Sequence, residues 1–329
     1  MTQILNKALR PIFSFVFKWL YPIFPYHRKI LWFFSRHYFV KGKKECGAAI
    51  AGLTKKGYGV LLNYCTEDAC CRTDIADAFG VYLQLIYLAS KFNGPGRRIA
   101  LSLKLSQFGC LGQDAEFGMK VFESIVGYAA ERRIRVVLDG ERLRHAEAIL
   151  AIGQTMNEKY GNMKVRLQAY NPKFCDLLLS AVAEDGGRSR PVPLGICKGA
   201  YHEKSAFRVR ETIENFMRGV VCSARCSHPV SIDTNDENLI KKLLSMRFED
   251  AEKPQLSFGL LYNVKPWLAR KLKDSGSVVS IYLPVIDYND TQSGKQWEQF
   301  ALRRLIERPV YIFLPFKLFV DRLLGRESY

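Results

Sequence analysis

The chain has 329 residues, of which 48% are hydrophobic and 25% charged, and its net charge is +17. This length and composition are those of a folded protein with a full hydrophobic core, and they exclude an intrinsically disordered chain. The nine cysteines are odd in number and scattered, which argues against a secreted disulfide scaffold and favours a reducing compartment. No metal is expected, because Cys222, Cys226 and His228 lack a second ligand pair at zinc spacing.

The N-terminal segment, residues 1–44, concentrates the positive charge. It has nine Lys or Arg and no Asp or Glu, mixed with aromatic and aliphatic residues. No apolar run approaches the roughly 20 residues that a membrane-spanning helix needs, and no small-residue cleavage site marks a secretory signal. Three interpretations stay open: a segment lying in an anionic membrane surface, a helix packed on the following domain, and a mitochondrial targeting segment. Nucleic acid binding is not expected, because no recognisable binding module accompanies the charge.

After this segment, short apolar runs alternate with longer segments of helical periodicity. The eight predicted strands span residues 59–65, 98–106, 134–140, 164–170, 192–199, 229–235, 256–262 and 278–285. Helices are predicted between them, for example over residues 74–92, 115–133, 146–160 and 204–219.

Eight strand–helix units over about 250 residues match a closed (β/α)₈ TIM-type barrel. An open doubly wound sheet is the main rival, but no Gly-x-Gly-x-x-Gly follows the first strand and no Walker motif occurs. We therefore expect a barrel over residues 45–309 between the N-terminal segment and a basic, apolar C-terminal tail over residues 310–329.

Polar side chains fall at or just beyond the carboxyl ends of the predicted strands, which meet at one mouth of a barrel. They are Lys104, Asp139, Gln168, Tyr170, Lys198, Tyr201, Asn235, Tyr262 and Tyr282. A charged side chain in an apolar run needs a polar mouth or a partner, so a structural Lys104–Asp139 bridge is an alternative to a binding site.

A pair of arginines follows the last predicted strand. Arg303 and Arg304 lie on a predicted helix with Glu307 one turn away, where its carboxylate can orient a guanidinium. A guanidinium presents a planar fork that fits a carboxylate bidentately. With the charged residues at the barrel mouth, this pattern predicts a site for a small carboxylate.

Seven motifs of the chain resemble the proline dehydrogenase family in order and approximate spacing, from about Phe39 to Arg308. They are LSLKLSQFG, VVLDGE, RLQAY, CKGAYHE, LLY, SIYLPV and ALRRLIE. The same domain occurs in the bifunctional proline utilization A enzymes. The resemblance implies a distorted (β/α)₈ barrel that binds FAD, oxidises L-proline to Δ1-pyrroline-5-carboxylate by hydride transfer to flavin N5, and passes electrons to a membrane quinone.

The resemblance also implies roles for individual residues. Lys104, Asp139 and Tyr201 would act at the catalytic centre, with Lys104 paired to Asp139. The substrate carboxylate would bind Arg303, Arg304 and Lys104, Glu307 would orient the arginines, and Tyr282 would wall the substrate ring together with Tyr201. The cofactor-binding residues implied are Gln168, Lys198, Gly199, Ala200, Thr234 and Asn235.

The flavin side departs from the family at three positions. Gly195 stands where the family usually has an Arg against the flavin, Thr234 replaces a His, and Gly259 replaces a Gln. These changes motivate the alternative of a barrel that binds proline or a similar carboxylate without flavin chemistry. Oxidation of another cyclic imino acid and a Schiff-base enzyme using Lys198 are further alternatives.

Both chain ends combine basic and apolar residues. The resemblance and this composition together predict a peripheral membrane protein, on the cytoplasmic face of the bacterial inner membrane or on the matrix side of the mitochondrial inner membrane.

Overall fold

Parallel β-strands form the centre of the molecule. The computed structural model describes residues 29, 33, 36–94, 98–112, 114–182, 191–199, 203, 205–225, 229–246 and 256–286. Its strands are β1 (Val40–Lys41), β2 (Gly59–Tyr64), β3 (Ile99–Leu103), β4 (Arg135–Leu138), β5 (Met163–Gln168), β6 (Leu194–Cys197), β7 (Val230–Asp233), β8 (Leu256–Leu261) and β9 (Val278–Ile286). Each predicted strand is confirmed, and β1 is an addition that the sequence did not indicate.

The strands close into a barrel. Their order is β1-β9-β2-β3-β4-β5-β6-β7-β8, and β9 also pairs with β8, so the eight strands from β2 to β9 form a ring in which every pairing is parallel. β1 adds to the end of β9, with Val40 opposite Val285. The predicted TIM-type fold is therefore confirmed.

Helices cover the outside of the ring. They are α1 (Gly42–Lys55), α2 (Arg72–Phe92), α3 (Ala115–Glu131), α4 (Ala146–Tyr160), α5 (Phe174–Val182), α6 (Val209–Arg225), α7 (Glu237–Leu244) and α8 (Pro266–Asp274). α2 begins where the Asp74 carboxylate accepts the backbone N–H of Cys70 at 2.8 Å and of Cys71 at 3.3 Å, which satisfies donors that a helix start leaves free.

α1 lies where the barrel closes, packed on β2 and β9. Its apolar side buries Cys46, Ile50 and Leu53. The expected boundary at residue 44 falls inside this helix, and Phe39 and Val40 before it are also buried. Residues 1–28 and 310–329 lie outside the described residues, so the two terminal segments stay predictions.

Successive side chains of each strand point to opposite faces, so the core has one region between strands and helices and another inside the barrel. On β5, Met163, Val165 and Leu167 are buried against the helices, whereas the alternate residues point into the barrel. These inward residues are Lys164, Arg166 and Gln168. A TIM barrel is ordinarily filled by branched apolar side chains, so this polar interior marks a place built for something other than packing.

Candidate active site

The carboxyl ends of the strands surround one cavity of about 1180 Å³. The predicted residues that line it are Lys104, Asp139, Gln168, Lys198, Gly199, Thr234, Asn235 and Tyr282. Tyr170 and Tyr262 are not in this lining, and the Tyr170 ring packs against Gly199 instead. Several predicted residues lie outside the described part of the chain, namely Ala200, Tyr201, Arg303, Arg304 and Glu307, and so do Cys226 and His228.

Lys104 follows β3 and is only 5% exposed. Its ammonium forms an ion pair with Glu67, which follows β2 on the neighbouring strand. The suggested Lys104–Asp139 pair is therefore corrected, because the loop after β2 brings a different carboxylate to this lysine. Sequence reasoning missed Glu67, although an acid three residues beyond a fully buried strand was the available signal.

Gln107 fixes the backbone around this ion pair. Its amide nitrogen donates to the carbonyl of Tyr64 at 2.7 Å and to that of Thr66 at 3.0 Å, which lie three residues and one residue before Glu67. Its amide oxygen accepts the backbone N–H of Lys104 at 2.9 Å. The buried Tyr82 hydroxyl lies 3.0 Å from the same oxygen. One buried amide thus ties the loop after β2 to the loop after β3.

Asp139 at the end of β4 belongs to a second buried network. Its carboxylate pairs with Arg166 of β5 and accepts the Tyr282 hydroxyl of β9 at 3.0 Å. Arg166 also donates its Nε–H to Asp233 of β7 at 2.7 Å. Four strands therefore contribute to one chain of charged contacts, which begins at a predicted site residue and ends at one that was not predicted.

The pKa shifts follow from this arrangement. Burial acts to raise the pKa of the Asp233 carboxyl, but Arg166 and Lys164 outweigh burial and hold that pKa below its ordinary value. Burial and the Asp139 carboxylate raise the pKa of Tyr282 well above its ordinary value. Tyr282 is therefore a protonated donor, and Asp233 and Arg166 are both charged.

Arg166 and Asp233 are not among the site residues predicted from the sequence, because each lies within a predicted strand and was interpreted as an ordinary strand residue. The available signal for Arg166 was the two-residue period of β5, which places it on the same face as Gln168. For Asp233, the signal was a carboxylate at the end of a buried strand.

Two of the three departures from the family pattern are explained by Asp233. A Cβ atom at position 195 would lie 2.7 Å from Asp233 Oδ2, and one at position 259 would lie closer still to Oδ1. Glycine at both positions leaves room for the carboxylate between β6 and β8. Glycine at positions 195 and 259 thus fits the Asp233 carboxylate, which a larger residue at either position would meet.

The predicted cofactor-side residues occupy the other part of the mouth. Lys198 pairs with Asp236 at 2.7 Å, and the same carboxylate caps the start of α7. Thr234 is 8% exposed and its hydroxyl accepts the backbone N–H of Asp236 at 3.2 Å. Asn235 accepts the backbone N–H of Leu261 at 3.3 Å through its side-chain oxygen, which directs its amide nitrogen elsewhere.

On the cofactor side of the mouth, two glycines lie in close contact with neighbouring side chains. Gly199 has φ +110°, a conformation that side chains rarely permit, and the ring of Tyr170 fills the space of its missing Cβ. A Cβ on Gly140 would lie 2.8 Å from the side chain of Gln168, which is 5% exposed. The mouth therefore offers an amide, a hydroxyl and an ammonium as fixed polar groups.

A profile of the family described as "Proline dehydrogenase" matches residues 46–213. Proline dehydrogenase 2 of Bacillus subtilis (strain 168) is 27% identical over 221 residues, which cover 66% of this chain and 68% of that protein. The protein of the same name from Bacillus subtilis subsp. natto is 26% identical over 221 residues, with the same coverage.

Solved structures of proline utilization A share the fold. That from Bdellovibrio bacteriovorus, inactivated by N-propargylglycine, is 14% identical with a TM-score of 0.68, over 83% of this chain and 32% of that one. A mutant from Bradyrhizobium japonicum is 17% identical with a TM-score of 0.67, over 89% of this chain and 33% of that one. The chain thus spans about a third of the length of these structures, and at such identities the likeness concerns the fold alone. Because the family profile covers just over half of the chain, the protein belongs to the proline dehydrogenase family.

Proposed function

We propose that the protein is an FAD-dependent proline dehydrogenase that oxidises L-proline to Δ1-pyrroline-5-carboxylate and passes the two electrons to a membrane quinone. The observation that carries this proposal is the convergence of Lys104, Asp139 and Tyr282 on one cavity at the carboxyl end of the barrel. Family membership supplies the reaction class, and the barrel end is where enzymes of this fold have their active sites.

On the substrate side, Lys104 provides a buried ammonium for the proline carboxylate. Its charge is shared with Glu67, so net attraction for an anion depends on further cations. Arg303 and Arg304, oriented by Glu307, are proposed to supply them. Tyr282 presents its ring to the cavity while Asp139 accepts its hydroxyl, which fixes a wall for the substrate ring. Tyr201 is proposed as the opposite wall.

The polar groups on the other side of the mouth fit a flavin. Gln168, Lys198, Thr234 and Asn235 line the cavity with donors that suit ring carbonyls and phosphates, and Gly199 permits close approach of a ligand to the backbone. Ala200 is proposed to extend this contact. When bound, FAD would accept the hydride from the substrate carbon beside nitrogen. The protein residues bind and orient, which is where most of the rate gain of such a transfer arises.

Two alternatives are disfavoured by specific contacts. A Schiff-base role for Lys198 requires a free amine, whereas its ammonium lies 2.7 Å from Asp236. The alternative of a binding protein without flavin rests partly on the glycines at positions 195 and 259. The space that the Asp233 carboxylate needs accounts for glycine at both positions. We further propose that the basic terminal segments hold the protein at a membrane surface.

The test is the visible absorption spectrum of the purified protein, recorded anaerobically before and after L-proline. We expect a flavin spectrum that bleaches. In Lys104→Met the flavin should stay bound, while the proline concentration that gives half-reduction should rise roughly tenfold or more, because a charge-assisted contact is lost.

Lys120→Met, which removes an exposed lysine on α3, is the matched control and should behave as the wild type. Absence of flavin after reconstitution with FAD would favour the binding-protein alternative. Flavin that proline does not reduce, but another cyclic imino acid does, would reassign the substrate.

A further inference from the structure

The cavity does not end at the active-site mouth. Its lining continues along the barrel to the amino-terminal ends of the strands, where it includes Arg98, Arg133, Arg135 and Lys164. These four residues stand at the starts of the adjacent strands β3, β4 and β5 and are called the basic entrance below. The three arginines are exposed, whereas Lys164 is half-buried and points into the barrel.

Small side chains keep this end of the barrel open. Ser231 and Ser257 line the cavity from neighbouring strands, and Gly195, opposite Ser231 in the register, has no side chain, at positions where a regular barrel has bulky apolar residues. Lys164 Cε lies 3.5 Å, and Ser231 Oγ 3.0 Å, from the position that a Cβ on Gly195 would occupy. The lysine and a hydroxyl that is almost fully buried thus share one space below the entrance.

The charges at this end are not balanced within the described residues. The carboxylates in the cavity lining are Asp139 and Asp233, and both are paired with Arg166. None of the four entrance cations forms an ion pair with a described residue. Lys164 and Asp233 are close enough for each to shift the pKa of the other, but Asp233 already pairs with Arg166. The cations at this end therefore outnumber the nearby described carboxylates, and an anion would relieve their mutual repulsion.

We propose that the basic entrance is a binding site for a multiply charged oxyanion of the phosphate class. Guanidinium groups match the oxygens of such an anion, and Ser277 at the rim adds a hydroxyl donor, whereas the Ser275 hydroxyl already donates to the carbonyl of Leu272 at 2.7 Å. The site is at the opposite end of the barrel from the proposed substrate site, so the anion would bind without competing with proline. This goes beyond the proposed oxidation of proline and does not depend on it.

Lys164 gives the site a distinct pH dependence. Burial, with help from Arg166 and Arg135, lowers the pKa of Lys164 to about 8, although Asp233 opposes them. The other charges at the entrance are Arg98 and Arg133, which are cationic at every relevant pH. Above pH 8 the free protein therefore has a neutral Lys164, and an anion that favours the charged form must bind together with a proton. Affinity should fall by up to about tenfold per pH unit above that value.

The experiment is calorimetric titration of the full chain at constant ionic strength in chloride. Pyrophosphate and inorganic phosphate test the class of anion, and sulfate, whose charge does not change in this range, tests the pH dependence. We expect saturable binding that weakens about tenfold or more in Arg98→Ala/Arg135→Ala and that loses its pH dependence in Lys164→Met. Arg142→Ala, a half-exposed arginine at the other end of the barrel, is the matched control and should bind as the wild type.

A second arm distinguishes a free anion from a lipid phosphate. Vesicles containing phosphatidic acid are compared with neutral vesicles, using wild type and the double arginine variant. Binding of free phosphate or pyrophosphate that requires the two arginines supports a soluble ligand. Vesicle binding that requires them, without binding of the free anions, supports a lipid headgroup. Unchanged binding in the double variant, or no binding of any probe, overturns the proposal.

Discussion

At the scale of single residues, Arg166 is the centre of the buried charge network. Arg166 makes contact with two carboxylates, Asp139 and Asp233, inside the barrel. A buried ion pair adds little net stability because both charges lose their hydration, but removing one partner leaves the other charge unpaired. Arg166 thus connects the predicted active-site residue Asp139 to Asp233 on β7, three strands from β4 in the barrel order.

This linkage predicts opposite pH behaviour for wild type and Arg166→Met. In the wild type the pKa of Asp233 is lowered, so its contribution to the free energy of unfolding is present at neutral pH and is lost as pH falls below the ordinary Asp value. In Arg166→Met the buried Asp233 carboxylate lacks this cation, so burial should raise its pKa, and stability should increase as pH falls from neutral.

Urea unfolding from about pH 7 down to about pH 3, which is below the ordinary Asp value, measures the two slopes. At pH 7 the variant should lose about 3–5 kcal/mol. Adding Asp233→Asn to it should recover part of this loss, since one unpaired charge is then removed. Equal slopes in wild type and variant would show that Arg166 does not set the ionisation of Asp233.

At the scale of elements, α3 is packed unusually close to the turn that carries Lys104. A Cβ on Gly118, in the first turn of α3, would overlap the carbonyl of Phe108 and lie 3.0 Å from the backbone nitrogen of Cys110. Phe108 closes the 3₁₀ turn Leu105–Phe108 directly after Lys104. A methyl group at position 118 would therefore have to displace either the helix or this turn.

Gly118→Ala should consequently destabilise the protein by about 1–3 kcal/mol, although alanine is ordinarily the better helix former. Gly80→Ala on α2 is the matched control, because a Cβ there meets nothing within 4 Å and should stabilise by about 0.5–1 kcal/mol. Thermal unfolding of both variants measures the difference. A Gly118 variant as stable as the Gly80 variant would refute the close packing.

The elements themselves were largely predictable from the chain. The eight strands of the ring were predicted because apolar runs bounded by turn residues are a local signal. The strand over 98–106 was predicted too long, because the 3₁₀ turn ends it at Leu103 and the apolar residues continue through that turn. β1 was missed because a strand of two residues is too short to show a hydrophobic period in the sequence. Its pairing with β9 exists only once the barrel closes.

At the scale of the whole molecule, the distribution of charge along the chain bears on whether the protein attaches to a membrane. None of the helices in the described ranges is long and apolar enough to cross a bilayer. The excess of Lys and Arg in residues 1–44 is the basis for expecting attachment to an anionic surface.

We expect the full chain to float with vesicles rich in phosphatidylglycerol and a variant lacking residues 1–35 and 310–329 to remain in the dense fraction. The truncation stops before β1, since Phe39 and Val40 are buried and belong to the barrel. A charge-reversing pair, Arg98→Glu/Arg135→Glu in the full chain, separates the termini from the basic entrance. Flotation of the truncated variant equal to that of the full chain would assign membrane binding to the barrel.

The sequence alone determined the fold class, the candidate mouth and the family, because strand periodicity, residues at strand ends and ordered motifs are local features of the chain. It placed Lys104, Asp139, Gln168, Lys198, Thr234, Asn235 and Tyr282 at one cavity. Only the tertiary structure decided which charges pair. Glu67 rather than Asp139 meets Lys104, and Arg166 joins Asp139 to Asp233, because partners within a barrel are set by strand register and by the space that Gly195 and Gly259 leave open.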